Sequence, residues 1–383
     1  MKKLLSVLGA MVVTTSTATS IISCSIPQGE GIDLNKDLQL IGTNLDKTKA
    51  IDDRIAGNFF SNYYILGDSL SDSHGIENVI YEKTNLPVKM TGNYENGSFT
   101  NGETAGVLLG DKLGFGSAIR NSDVQYFNNY SNPRRNYAVG GATAAKMQGA
   151  MGMIINNVSI EEQAKYLVQQ HQLFSDELIF IEIGGNDMMA MLNDNVSNVE
   201  QNKLLDEMLV NLRNTFFTLT NNGARHILFM NTPDVQYIPR YNAIYKPELP
   251  TNEREKELEL VHDKANLLGE KINYETKKLI DTVNQYYPNS IKMYDLFSNT
   301  KSLLDTFAND LTTKYNITDP VTILDESDLI EKIFSGGELE SQLAPSMTTE
   351  DFNNHFFFDD VHPTANVHRY MSEELAKLVK EWE

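Results

Sequence analysis

The chain has 383 residues, 41% of them hydrophobic, and a formal net charge of −20. That apolar share can bury a sizeable core, and the acid excess argues against nucleic acid as a partner and against steering toward anionic lipid. Cys24 is the only cysteine, so an intrachain disulfide is excluded.

The first residues read as a secretory signal rather than as part of a fold. Lys2 and Lys3 form a short basic region, and Leu4 to Val13 form an apolar stretch too short to span a bilayer. A small, hydroxylated stretch ends in Ile21-Ile22-Ser23-Cys24. A lone cysteine placed there resembles a bacterial lipoprotein processing site, although Ile21 stands where such sites most often have Leu. The resemblance implies removal of residues 1–23 and diacylation of Cys24 as the new N-terminus. The plain alternative is an ordinary signal peptide with an incidental cysteine. The expected location is the outer face of the cell membrane, held by lipid. Residues 24–57 are polar, without apolar periodicity, and are expected to form the tether.

From residue 58 onward the pattern becomes that of one domain. Tyr63-Tyr64-Ile65-Leu66 reads as a buried strand stopped by Gly67. Similar runs follow at Asn136 to Val139, Leu178 to Ile183, Ile227 to Met230 and Ile291 to Tyr294. Continuous apolar runs suit parallel strands covered on both faces. Between them, Ser159-Ile160-Glu161-Glu162 has capping-box spacing and predicts a helix toward Phe174. Leu204 to Leu219 is helical in pattern. Asn252 to Tyr287 carries one apolar stripe from Leu258 to Tyr286 and stops before Pro288. Residues 298–350 read as a variable insertion with short helices. A last helix is predicted near Pro363. Alternating strands and helices predict a three-layer α/β fold with a central parallel sheet.

Four runs at strand or helix ends hold residues able to do chemistry. Ser69 follows Gly67 at the end of the first strand, and a helix beginning at Leu70 to Asp72 would aim its N-terminus at developing negative charge there. By itself Ser69 serves equally well as a helix cap. Asn136 to Thr143 ends in Gly140-Gly141, where backbone N–H groups can approach a ligand. Gly184-Gly185-Asn186-Asp187 offers an amide donor at Asn186 or is a simple turn. Asp359-Asp360-Val361-His362-Pro363 offers a base titrating near neutrality, with an acid three residues earlier to orient it. Asp360 and His362 are also metal-ligand types, but no second cluster supports a metal. Met188, Met189 and Met191 fit either an acyl pocket or the core. His74 fits the pocket mouth or, more simply, the helix after Ser69.

In this order the four runs resemble the sequence blocks of the GDSL esterase/lipase family, the SGNH hydrolases. Two further runs, Gly97 to Gly102 and Asn231-Thr232-Pro233-Asp234, resemble segments of its plant-like branch, with Ser98 where that branch usually has Arg. The resemblance spans roughly residues 60 to 380. It implies a flavodoxin-like α/β/α sandwich, Ser69 as nucleophile, His362 as base and Asp359 as its orienter. It also implies an oxyanion hole made by the Ser69 and Gly141 N–H groups and the Asn186 side chain, with no metal or organic cofactor. The expected activity is hydrolysis of lipid or other acyl esters by a monomer. A phospholipase of the same fold, or a non-catalytic surface lipoprotein that uses the fold for binding, are the competing readings.

Overall fold

Four strands form a parallel sheet in the order β1 (Asn62–Gly67), β3 (Glu177–Glu182), β4 (His226–Met230), β5 (Ile291–Tyr294). All six residues of β1 and of β3 are buried, as expected for strands covered on both faces. This computed structural model describes residues 36–116, 119, 135–242, 244–310, 321–322, 335–345 and 347–382. All of them lie in the unit Leu34–Glu383. Residues 1–35, with Cys24, lie outside the described residues.

Alternation along the strands sorts the helices into two layers. Tyr63 points to α2 (Ala105–Lys112), where its hydroxyl donates to the Gly106 carbonyl at 2.9 Å. Its neighbour Tyr64 points the other way, to His171 at the end of α4 (Ile160–Gln170). On β4, Phe229 meets Phe216 of α6 (Asn198–Asn221) edge to face. Met230 faces α9 (Ala365–Val379), which also packs on α2. The long helix α7 (Thr251–Tyr286) lies beside α6 and buries Val261, Ala265, Leu268, Ile272, Leu279 and Val283. Tyr286, expected at the end of that stripe, is instead 45% exposed. The remaining helices are α1 (Gly75–Thr84), α3 (Gly149–Ile155), α5 (Gly185–Leu192) and α8 (Leu296–Asp310).

Several elements differ from the sequence expectation. Asn136 to Val139 runs parallel to β1 but forms only a bridge at Ile65–Asn136, flanked by Tyr137 N–H to Ile65 O and Val139 N–H to Gly67 O. The Gly67 N–H, which would extend the ladder to the Tyr137 carbonyl, is taken by the Gln163 side chain at 2.8 Å, so the pairing stops after one bridge. Ser159 sits at the N-cap of α4 without a side-chain cap bond, and the Glu162 side chain pairs with Lys165 at 2.7 Å. A complete capping box forms instead at Ser197 and Glu200, opening α6. Residues 36–57 are docked rather than a free tether. Leu38 is buried, Asn221 donates to the Leu38 and Ile41 carbonyls, and Asp53 pairs with Arg135 and His171. The domain therefore begins before residue 58. The segment expected as an insertion begins inside α8, whose Leu303, Leu304 and Phe307 belong to the core. The chain then returns to the fold through β7 (Gly337–Glu340), parallel to β2 (Val88–Thr91). Short β6 (Val321–Thr322) and β8 (Gln342–Leu343) pair antiparallel.

Candidate active site

Ser69 lies in the turn that follows β1, 8% exposed. The helix expected from Leu70 begins only at Gly75, so its N-terminus does not follow Ser69 directly. What shapes the turn is the pair of aspartates around it. Asp68 accepts from the Leu70 N–H at 3.1 Å. Asp72 accepts from the Gly75 and Ile76 N–H groups at the start of α1, and from the Gly140 N–H at 2.6 Å. One buried carboxylate thus ties the Ser69 turn to the glycine pair. Gln163 of α4 completes the frame by donating to the Gly67 carbonyl and accepting from its N–H, each at 2.8 Å.

Asp359 and His362 arrive on a tight loop ahead of α9. Asp359 Oδ1 accepts from the Val361 and His362 N–H groups at 2.8 and 2.6 Å, which curls the loop back on itself. Asp359 Oδ2 is then 2.7 Å from His362 Nδ1, and His362 Nε2 is 2.7 Å from Ser69 Oγ. The structure therefore brings together three residues that the sequence placed up to 293 positions apart. The Gly97 to Gly102 run supports this loop. Phe99 lies against the His362 ring with centroids 5.1 Å apart, Thr100 donates to the Pro363 carbonyl, and Asn101 accepts from the Ala365 N–H. Ser98 within that run is fully buried.

The charges around His362 oppose one another. Burial alone pushes the imidazole down, but the Asp359 carboxylate and its hydrogen bond, with Asp360 and Asp68 beyond, raise it above the ordinary histidine range. Burial would raise Asp359, yet His362 and the two N–H bonds hold it below the usual carboxylate value. Asp360 is bonded to Arg240, at 2.6 Å from Nε. Glu182, at the end of β3, is pushed well above its usual range by burial and by the nearby Asp68 carboxylate. Among the described residues no group of three or more His, Cys, Asp or Glu side chains is placed to hold a metal ion.

Gly140 and Gly141 differ in what their N–H groups can do. The Gly140 N–H is committed to Asp72, and a Cβ there would strike the Phe99 ring. Gly141 adopts φ +79°, a conformation open to glycine. Among the described residues, neither its N–H nor that of Ser69 donates to another group of the chain. Asn186, at the start of α5, gives one amide hydrogen to the Ala142 carbonyl at 3.0 Å, leaving a second. It lines a cleft together with Ser69, Met189 and Val361. Met188 and Met191 are core residues, so the three methionines divide between pocket and core. Asp187 accepts from the Ala144 and Ala145 N–H groups at 2.9 and 2.7 Å, fastening α5 to the loop after Gly141. Burial raises Asp187 to about 6, against the pull of those two N–H groups.

The remaining histidines stand apart from Ser69 in role. His74 precedes α1 and bonds Glu77 at 2.8 Å. His171 is buried against Tyr64 and Asp53, and His355 bonds the Asp351 carbonyl. Phe356, Phe357 and Phe358 are core.

Residues 63–375 match the GDSL-like Lipase/Acylhydrolase family, which is most of the chain. The chain belongs to that family. It is similar to a GDSL esterase/lipase of Arabidopsis thaliana, at 22% identity over 352 residues, covering 82% of this chain and 86% of the plant protein. Among solved structures it resembles a carbohydrate esterase whose active site is described as displaying divergent catalytic and non-catalytic binding functions. That likeness has 13% identity and a TM-score of 0.37, covering 83% of this chain and 68% of the other. In this GDSL-like hydrolase Ser69 follows β1 and lies within hydrogen-bond reach of His362 ahead of α9. Asp72, Gln163 and Asp187 complete the site, and nothing in their local sequence assigned them a role. Asp72 and Asp187 lie inside recognised runs, whereas only the tertiary contact reveals Gln163.

Proposed function

We propose that this chain is a carboxylic-ester hydrolase that works through a covalent acyl-serine. The observation that carries the reading is the unbroken chain Ser69 Oγ, His362 Nε2, His362 Nδ1, Asp359 Oδ2, with both contacts at 2.7 Å. His362 takes the Ser69 proton as Oγ bonds to the ester carbonyl carbon. The Ser69 and Gly141 N–H groups and the free Asn186 amide hydrogen receive the oxyanion, each donor worth roughly 10²–10³ in rate. The bond to the leaving oxygen then breaks, and His362 passes its proton to that oxygen. Water repeats the cycle on the acyl-serine, giving the carboxylic acid and free Ser69. Asp359 holds the imidazole in the tautomer that presents Nε2 to Ser69. The lone Cys24 behind a signal-like segment supports a secreted enzyme held by lipid at the membrane, acting on lipid or other acyl esters there.

The test is hydrolysis of p-nitrophenyl acetate by the domain and by Ser69→Ala. The substitution is expected to lower kcat at least about 10³-fold, by analogy with other Ser–His–Asp hydrolases. Equal rates from both folded proteins would overturn the assignment, leaving the fold as a binding module.

A further inference from the structure

A second cavity adjoins the Ser69 cleft. Leu70, Pro233, Ile238 and Val361 line both. From that shared wall the cavity, about 60 Å³, runs toward Leu303 of α8 and Met371 of α9. Among the described residues its lining carries no charged side chain. His368 is there, held down to about 3 by burial and so neutral, and its Nδ1 accepts the Ala105 N–H. Thr300 adds a hydroxyl that donates to the Leu296 carbonyl and accepts the Asp234 N–H. Such a lining suits a hydrocarbon chain and offers nothing to a sugar ring.

We infer that this cavity takes the acyl chain of the substrate, and that its size selects esters of short to medium chain. The inference rests on the proposed ester hydrolysis. Of the two halves of an ester, the acyl group stays bonded to Ser69 Oγ until water adds to its carbonyl carbon, whereas the alcohol departs after the first step. An apolar slot next to the Ser69 cleft suits the half that stays, and the cleft itself is left to the departing alcohol and the incoming water. A single water needs roughly 10–15 Å³ on the same measure. The cavity therefore has room for about four to six methylene-sized groups. The substrate class is then esters with about four to six carbons beyond the carbonyl, pentanoyl to heptanoyl, with acetyl esters as poor substrates.

The experiment compares p-nitrophenyl esters from acetate to dodecanoate, so that only the acyl half changes. kcat/KM is expected to rise roughly fourfold per methylene up to about hexanoate, the fold-change that corresponds to about 0.8 kcal/mol per buried methylene, and to stop rising beyond heptanoate. Leu303→Phe is expected to lower the hexanoate-to-acetate ratio at least tenfold, and Leu303→Ala to move the optimum to longer chains. A second measurement separates binding from chemistry: titration calorimetry of the acetate and hexanoate esters on Ser69→Ala. Tighter binding of hexanoate by tenfold or more, lost in Ser69→Ala/Leu303→Phe, supports the cavity assignment even if the native protein hydrolyses neither ester. Ser69-dependent hydrolysis with a flat chain-length profile, or a profile that neither Leu303 variant moves, overturns the cavity assignment and leaves the esterase reading standing.

Discussion

His362 sits between burial, which disfavours its charged form, and three carboxylates that favour it. The carboxylates prevail, so the base is protonated to a higher pH than an ordinary histidine. Hydrolysis needs the neutral imidazole, and so the rate is expected to fall as pH drops through that raised value. In Asp359→Asn the largest raising influence is gone and burial dominates. The acid limb of kcat/KM is then expected to move to lower pH, while the maximal rate falls by about 10⁴. An acid limb that stays in place, measured on p-nitrophenyl esters, would mean that Asp359 does not control His362. These three residues were singled out only because four runs, in order, resemble one family, since by itself Ser69 read equally well as a helix cap. The structure then links their side chains in series through two contacts of 2.7 Å. Gln163 was not, because its role depends on meeting the Gly67 backbone from a helix almost a hundred positions away.

Between elements, the most consequential joint is the one that Asp187 makes from α5 to the Ala144–Ala145 backbone. Gly141 precedes that backbone and Asn186 precedes Asp187, so one carboxylate fixes the separation of two proposed oxyanion donors. Asp187→Ala is expected to leave two buried N–H groups without acceptors, costing about 2–4 kcal/mol in urea unfolding. It should also lower kcat by roughly 10–100-fold with little change in KM, since the displaced donors act on the transition state. Loss of stability with unchanged kcat would make Asp187 a purely structural clamp. The elements themselves were mostly readable, since β1, β3 and β4 follow apolar runs and α7 a single stripe. The shortened edge beside β1 was not, because there a side chain competes for backbone: Gln163 takes the Gly67 N–H that would have extended the ladder.

At the scale of the whole molecule, residues 36–57 are held against the domain, through Leu38, Asp53 and the Lys47–Asn222 contact. Any free linker behind a lipidated Cys24 is therefore confined to residues 25–35, shorter than composition alone implied. Polar composition pointed to a linker, but it could not show that Asn221 and Asn222 stand ready to bind that backbone. Among the described residues no helix is long and apolar enough to cross a membrane. Under the lipoprotein proposal attachment runs through the Cys24 thiol, and Cys24→Ser is then expected to move the protein from the membrane fraction to the medium. Continued sedimentation with membranes would sink the lipoprotein proposal.

Ser69 stands near the start of the domain, and its partners Asp359 and His362 near its end. The pairing of β2 with β7 likewise joins segments about 250 positions apart. Such contacts close long loops, which slows folding and defers the last steps. In a chain made from its N-terminus, the proposed nucleophile is made long before the proposed base. The growing polypeptide thus stays without the Ser69–His362–Asp359 contact until the segment ahead of its final helix has been added, which would keep the proposed activity silent during synthesis.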